Sequence, residues 1–399
     1  MRLSSPITWL VIVYVILGVL TVLGVLGYRS VHTEATVAIE DVREVFLLER
    51  LALARGWIET NQREDGSLPY AYNAQTQEYG GENNVIRQMI TVQGLYALGR
   101  ELENPRYTAA AARAETYMFD TFYRYDSSRG FGYMVEGENI KLGAAALAVL
   151  ATREGKAASA PLSARERALL EFILAMQRND GSFQTFLQDE PTDLNDRFYS
   201  GEALTALARA YQATGDRRYA AALERSFSHY LDLLEENYMP QYAAWHMQAY
   251  TIFYEQTKKE EYATFVYSLA DRLIEGMLDA DIDASSRDEG RFFNPEKSEW
   301  GPPHSSSTGI YTEGLTYAYE LAMQKGDADR GGRYAAAIRS GTRYLLEVQW
   351  TAESAGEFEY SERLIGALKR TPSVGTLRID QTGHALNAFG RILALKVLK

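Results

Sequence analysis

The chain has 399 residues and a formal net charge of −12, which argues against a nucleic-acid partner and against a surface that binds anionic lipid. It contains no cysteine, so disulfides, thiolate zinc sites and cysteine nucleophiles are excluded. The 27 tyrosines and five tryptophans are typical either of aromatic sugar-binding clefts or of a densely packed interior.

The N-terminal segment predicts a membrane anchor. After a short tail at 1–6, residues 7–28 form an uncharged apolar run of about the length that a bilayer core requires. Trp9 and Tyr28 lie where interfacial aromatics are expected, and no small-x-small cleavage site precedes Arg29. We expect a single-pass anchor in the cell membrane, a tether at 29–41, and a domain at 42–399 that is periplasmic or extracellular. The flanking charges are too similar to fix this orientation.

From residue 42 onward the chain repeats one pattern, a helix, a turn containing Gly or Pro, and a second helix. Sustained alternation of apolar and polar residues is absent, so strands should be few and short. One repeated sequence feature is a glutamine followed by a turn that contains a glycine and an apolar residue. It occurs at 62–68 and at 177–183, and more loosely at Gln349, Gly356 and Phe358, with a partial copy at 126–131. A second mark is a tyrosine after a turn, at Tyr107, Tyr219, Tyr262 and Tyr334.

These marks divide the domain into six helical hairpins. The first helices are predicted at 42–63, 104–124, 163–178, 217–236, 259–278 and 331–350, and the second helices begin near Asn84, Asn139, Arg197, Gln241, Ser307 and Asp380. The first helices carry the charges beside an apolar stripe, whereas the second helices consist mainly of Gly, Ala, Leu and Tyr. This contrast predicts an outer ring of amphipathic helices around an inner ring of buried ones.

The hairpin pattern over about 42–399 resembles the alpha/alpha toroid of six-hairpin glycosidases, sugar 2-epimerases, several polysaccharide lyases and the terpenoid cyclase and prenyltransferase superfamily. The resemblance implies an all-α fold, an (α/α)6 toroid. The Gln-Gly turns are similar to the repeat of terpenoid cyclases, with Leu68 and Phe183 where that family typically has Trp. Their Asp-x-Asp-Asp motif is absent from inner positions, and the cysteine ligands of prenyltransferases and lanthionine cyclases are missing, which disfavours those activities.

In such a toroid the loops from outer to inner helices meet at one end, so their polar residues converge. The catalytic candidates are Glu202, His246, His304, Tyr311, Glu313 and Asp380. The candidates for substrate binding are Tyr70, Tyr72, Asn84, Arg87, Tyr133, Arg197, Tyr199, Gln241, Trp245, Gln381 and His384. Purely structural roles compete with these. Glu202 would pair with Arg209 or a neighbour, Asp380 would cap the last inner helix, and the two helical histidines would belong to the core.

The acidic run Asp279, Asp281 and Asp283 is similar to a calcium loop but lacks the glycine and the bidentate glutamate that such a loop needs. A solvated acidic loop is expected there, and calcium binding at 279–289 stays open. No cofactor and no metal are predicted.

The leading interpretation is a membrane-anchored carbohydrate-active enzyme, a glycoside hydrolase or polysaccharide lyase, acting on an envelope or secreted polysaccharide. Hydrolysis needs two carboxylates, for which Glu202, Glu313 and Asp380 are available. Elimination or epimerisation needs a base, an acid and charge-neutralising donors, which His246, His304, Tyr311, Asn84 and Arg197 offer. The alternatives are a non-catalytic glycan-binding or scaffolding subunit of a membrane polysaccharide machine, which implies protein partners, and a sugar epimerase.

Overall fold

The computed structural model describes residues 42–81, 83–188, 195–278 and 286–399. The predicted anchor at 7–28, the tether at 29–41 and the acidic run at 279–283 lie outside the described residues. Within these ranges, none of the helices is both long enough and apolar enough to cross a bilayer.

Helices dominate the described domain. In chain order they are α1 Glu44–Asn61, α2 Val85–Glu101, α3 Pro105–Phe122, α4 Leu142–Glu154, α5 Ala164–Ala175, α6 Asp196–Thr214, α7 Arg217–Glu236, α8 Pro240–Thr257, α9 Glu260–Met277, α10 Ser305–Lys325, α11 Ala328–Glu347, the short α12 Ala352–Ala355 and α13 Ile379–Leu395. Outer helices α1, α3, α5, α7, α9 and α11 alternate with inner helices α2, α4, α6, α8, α10 and α13. The boundaries agree closely with those predicted from the sequence.

The inner helices form a closed ring. Each packs against the next in the order α2, α4, α6, α8, α10 and α13, and α13 packs back onto α2. Small residues permit the close approach, since a Cβ on Gly94 of α2 would overlap with Leu386 of α13, and one on Gly314 of α10 would overlap with the backbone of α8. The outer helices bury one face each, whereas almost the whole of α8 is buried. The six-hairpin toroid is confirmed.

Short strands lie at the end of the ring where the inner helices begin. They are β1 Ala71–Asn73, β2 Glu78–Tyr79, β3 Tyr123–Asp126, β4 Phe131–Glu136, β5 Asn139–Ile140 and β6 Thr376–Arg378. β1 pairs antiparallel with both β2 and β6, and Ala71 lies opposite Arg378. This pairing joins the first hairpin to the last, while β3, β4 and β5 form a separate sheet.

The Gly-apolar turns at 62–68 and 177–183 share one geometry. The matches at Gly356 and at 126–131 were wrong, since a Cβ on Gly130 would meet open space. Gly66, Gly181, Gly290 and Gly366 all have positive φ, and each backbone lies so close to the carbonyl of an outer helix that a Cβ would overlap with it. Gln349 hydrogen-bonds to the carbonyl of Gly366, at 2.9 Å. The loosely matched Gly356 has φ −63° and does not make this turn. In the sequence, Gly356 lies closer to Gln349 than Gly366 does, so Gly356 was matched in place of Gly366.

Candidate active site

A cavity of about 310 Å3 opens where the inner helices begin. Its walls come from the first turns of α2, α6, α8, α10 and α13 and from the loop before α10. The lining residues are Asn84, Ile86, Arg87, Ile90, Asn195, Phe198, Tyr199, Glu202, Trp245, Pro302, His304, Ser306, Ser307, Ile310, Arg378, Asp380 and His384. Because helix N-termini carry partial positive charge, this end of the ring favours anionic groups.

Glu202 is a buried carboxyl group on the wall of the cavity. Its side chain lies on the second turn of α6 and is 3% exposed, and its Oε2 atom has no hydrogen-bond partner among the described residues. Arg209, the expected ion-pair partner, contacts Gln212 and Tyr317 instead. Burial raises the pKa of Glu202 to about 8, so the group carries a proton at neutral pH.

Asp380 is the opposite case, a carboxylate held in its charged form. Arg378 donates two hydrogen bonds to it, at 2.6 and 2.8 Å, and the Arg87 guanidinium lies 3.5 Å away. Burial opposes ionisation, but the Arg378 hydrogen bonds and the positive charges of Arg378 and Arg87 outweigh it and lower the pKa of Asp380. The cavity therefore holds a neutral and an ionised carboxyl group.

His304 is the residue just before α10, at the edge of the cavity. Arg370 donates a hydrogen bond to its Nε2 atom at 2.8 Å, so this nitrogen carries a lone pair rather than a proton. Burial, followed by the charges of Arg370 and Arg378, lowers the pKa of His304 to about 4. His304 is neutral at physiological pH, with a weakly basic nitrogen that is already occupied.

His384 lines the cavity from α13 and connects it to a buried carboxyl group. Its Nδ1 atom lies 3.6 Å from Glu313 Oε2, and the other oxygen of Glu313 accepts a hydrogen bond from Gln248 at 3.3 Å. Burial raises the pKa of Glu313, although His384 counteracts part of this effect. Glu313 itself does not line the cavity and reaches it through His384.

Eight of the residues singled out in the sequence line the cavity together: Asn84, Arg87, Tyr199, Glu202, Trp245, His304, Asp380 and His384. Among the described residues, Asn84 also caps α2 by accepting a hydrogen bond from the backbone N–H of Arg87 at 3.1 Å. These residues come from the inner helices α2, α6, α8 and α13 and from the positions just before α2 and α10. The convergence is a consequence of the ring, since all inner helices begin at the same end.

The other singled-out residues lie behind or beside the cavity. His246 is fully buried among Tyr230, Tyr242 and Tyr250, its Nδ1 atom is 2.8 Å from the Tyr242 carbonyl, and burial lowers its pKa to about 4. Tyr311 is buried beside Phe292, and its pKa is raised by burial. Neither touches the space where a ligand would fit.

The remaining candidates are supporting residues. Tyr70 hydrogen-bonds to Arg87, and Gln381 accepts from the backbone N–H of Arg378 at 2.8 Å. Gln241 donates to the carbonyl of Glu299, Tyr72 packs on Tyr79, and Tyr133 packs beside Phe131 and Phe172. Arg197 is half-buried in the first turn of α6 and does not line the cavity.

Sequence reasoning missed the apolar part of the lining. Ile86, Ile90 and Ile310 lie one helical turn or less from predicted polar residues, so helical spacing would have placed them on the same face. Phe198 is 39% exposed and projects from the start of α6. It offers a surface on which a sugar ring can stack, because the apolar face of a sugar packs well on an aromatic ring.

A larger cavity of about 850 Å3 lies on the outside of the ring, between α3 and α5. Its buried carboxylate, Glu166, is paired with Lys156 at 2.6 Å and accepts a backbone hydrogen bond in a capping box. The Glu166 carboxylate therefore has partners, whereas Glu202 Oε2 has none among the described residues. Among the described residues there is no cluster of three histidine or acidic side chains that would hold a metal ion.

No family model matches the chain, and no curated protein matches it. Solved structures do resemble it. A heparin-specific unsaturated glucuronyl hydrolase has a TM-score of 0.64 at 12% identity, covering 88% of this chain and 98% of that one. A D-mannose isomerase has a TM-score of 0.64 at 11% identity, with the same coverage. A family 76 alpha-mannanase of Bacteroides thetaiotaomicron has a TM-score of 0.61 at 12% identity, covering 88% and 95%. The chain shares the alpha/alpha toroid fold of these enzymes.

Proposed function

We propose that this protein is a carbohydrate-active enzyme that hydrolyses a glycosidic bond in the cavity at the start of the inner helices. The observation that carries the proposal is the pair of carboxyl groups with opposite protonation states, Glu202 neutral and Asp380 ionised. Environments that drive two carboxyl groups apart in pKa are the usual way to obtain an acid and a charge-stabilising group in one site.

Glu202 is the proton donor in this scheme. It protonates the leaving oxygen as the C–O bond breaks, and the oxygen of water forms a new bond to the anomeric carbon. The proton released by that water restores Glu202 at the end of the cycle. Asp380, held by Arg378, is a weak base but a strong negative charge, so it is suited to stabilising positive charge that develops on the sugar ring.

Elimination of the lyase type is less well supported by the same residues. It needs a base strong enough to remove a proton from a sugar carbon, and His304 has its pKa lowered to about 4 and its Nε2 atom occupied by Arg370. A non-catalytic glycan-binding subunit keeps the aromatic lining from Phe198 and Trp245. It gives no reason, however, for burying Glu202 Oε2 without a hydrogen-bond partner among the described residues, which costs stability.

A second candidate is a sugar epimerase or isomerase. The observation in its favour is the approach of His384 Nδ1 to Glu313 Oε2, because a carboxyl group behind a histidine can set the position of its proton. The D-mannose isomerase and a sugar epimerase from a ruminal bacterium, with TM-scores of 0.64 and 0.62, have the same fold. Proton exchange at a sugar carbon would then depend on His384 rather than on Glu202.

The N-terminal sequence is the basis for a proposal about where the reaction takes place. We propose that residues 7–28 anchor the enzyme in the cell membrane and that the toroid acts in the periplasm or outside the cell, on an envelope or secreted polysaccharide. The length and the flanking aromatics of the apolar run support this proposal. Other membrane proteins of a polysaccharide machine would be natural neighbours of such an enzyme.

The test is the release of reducing ends from a panel of polysaccharides by the full-length protein. Glu202→Gln keeps the shape of the protonated carboxyl group and removes the transferable proton, so turnover should fall by about a hundredfold or more. Glu235→Gln, an exposed position on α7, is the matched control and should be fully active. Turnover by Glu202→Gln at the rate of the control would exclude Glu202 as the proton donor.

A further inference from the structure

The cavity carries an excess of positive charge on a chain that is strongly negative overall. Arg87 and Arg378 line it, and Arg370 lies beside it through its hydrogen bond to His304. The negative charge among these groups comes from Asp380, since Glu202 is protonated at neutral pH. Two guanidinium groups therefore contact one carboxylate, and a third lies beside the cavity, in a protein whose net charge is −12.

Asp380 balances only part of the positive charge of Arg378 and Arg87. Arg378 binds both oxygens of Asp380 with its Nε and one terminal nitrogen. Arg87 approaches Asp380 only at 3.5 Å, through Nε, and its side chain is 34% exposed. One terminal nitrogen of Arg87 bonds to Tyr70, and the other has no partner among the described residues.

Arg370 is the second arginine whose positive charge is not fully balanced. It is exposed, and its contact among the described residues is the hydrogen bond to a neutral histidine, so no described carboxylate balances its charge. The apolar lining by Ile86, Ile90 and Ile310 excludes water from one side of the cavity, which strengthens the attraction of the guanidinium groups for an anion. Guanidinium groups match the planar geometry of a carboxylate and also bind sulfate.

We infer that the substrate is an anionic glycan, and that Arg87 and Arg370 bind a carboxylate or sulfate group on the sugar that occupies the cavity. This inference rests on the proposed function for its sugar, but it concerns binding and does not require cleavage. Neutral glycans, by contrast, would leave Arg370 without a carboxylate partner among the described residues and Arg87 with only its 3.5 Å contact to Asp380.

The experiment measures binding by the full-length protein to three sugars that differ only at carbon 6, methyl glucoside, methyl glucuronide and methyl glucoside 6-sulfate. Because a charge-assisted hydrogen bond adds about a factor of ten or more to affinity, at least one anionic sugar should bind about tenfold more tightly than methyl glucoside. The preferred anion distinguishes carboxylate from sulfate. Raising the ionic strength from about 0.01 M to about 0.15 M shortens the screening length from about 30 Å to about 8 Å and should reduce the preference.

Single substitutions of arginine test which side chains cause the preference for an anionic sugar. Arg87→Gln and Arg370→Gln should each lower affinity for the preferred anionic sugar by about tenfold, which is a larger loss than for methyl glucoside. Arg217→Gln, an exposed position at the start of α7 on the opposite end of the ring, removes the same charge and should change neither. Equal affinity for all three sugars, or no binding of any, would overturn the inference. An anionic preference without cleavage of any glycan would instead overturn the proposed hydrolysis and leave the inference standing.

Discussion

The carboxyl group of Glu202 on α6 lies directly over Gly143 on α4. A Cβ atom added to Gly143 would overlap with Glu202 Oε2 and with the ring of Tyr199. The missing side chain thus creates the space in which the acid is buried against a neighbouring helix. Because Gly143 lies in the first turn of α4 and has no side chain, its contribution to the site is this space.

Gly143→Ala should therefore displace the proton donor without disrupting the fold. The alanine has a higher helix propensity than glycine, which offsets part of the strain from the collision. We expect turnover to fall by about tenfold or more while the helical circular dichroism is unchanged. Gly332→Ala, on outer helix α11 with open space around the new Cβ, is the control and should be as active as the wild type. Full activity of Gly143→Ala would show that Glu202 adapts easily or is not the donor.

Glu202 should make the protein less stable as pH rises. Its pKa is about 8 in the folded chain and near 4.5 when unfolded, so between these values the unfolded state has lost a proton that the folded state retains. The free energy of unfolding then decreases with pH through that window. Glu202→Gln should be more stable than wild type by roughly 3 kcal/mol at pH 7, and the gain should vanish below about pH 4. Urea denaturation at several pH values measures both.

A loss of stability in Glu202→Gln at neutral pH would point to a different environment. It would mean that the charged form of Glu202 has a partner in solution, as a structural salt bridge requires. The hydrolytic proposal would then lose its acid.

Asp380, in contrast, should make the protein less stable as pH falls. Its pKa is lowered below the ordinary value of 3.8, so its contribution to stability is complete at neutral pH and is lost as pH falls below that value. Asp380→Asn leaves Arg378 and Arg87 without a counter-ion and should lower the free energy of unfolding by roughly 3 kcal/mol or more. The exposed Asp232→Asn on α7 should have almost no effect. Equal stability of both variants would argue against the Arg378 pair.

His304 should remain neutral until the solution is distinctly acidic. Its pKa of about 4 results first from burial and then from the charges of Arg370 and Arg378. Arg370→Gln should raise this pKa part of the way to 6.5, because removing one cation leaves the burial unchanged. NMR titration of the imidazole Cε1–H signal, assigned with His304→Asn, measures the shift. A pKa near 6.5 in the wild type would show that the loop before α10 opens to solvent.

The domain should fold without the N-terminal segment. Among the described residues, the buried apolar core lies between Leu47 and Val397. A chain that begins at Asp41 should be recovered as a monodisperse protein with a single cooperative unfolding transition. Recovery only as aggregate would mean that the segment before residue 41 covers part of the toroid. The same chain, tested for retention on membranes beside the full-length protein, tests the predicted anchor.

The sequence by itself determined the order and the boundaries of the helices. Helical periodicity and turn residues are local signals, and the contrast between charged and small-residue helices assigned each one to the outer or inner ring. Because inner helices must all begin at the same end, the placement of Glu202, His304 and Asp380 in one cavity followed from the fold. The length of the loop that brings Gly366 under α1 was not deducible, since the turn geometry does not fix how many residues precede it.

Only the tertiary structure decided which polar side chains face the cavity and which pairs form. Trp245 and His246 are neighbours on α8, yet a rotation of about 100° per residue turns one towards the cavity and the other into the aromatic core. The pairing of Arg87 with Asp380, and the lack of a partner for Glu202 Oε2 among the described residues, depend on how α2, α6 and α13 pack across the ring. The protonation states that suggest the chemistry arise from that packing, because burial and distant charges, rather than neighbours in sequence, set a pKa.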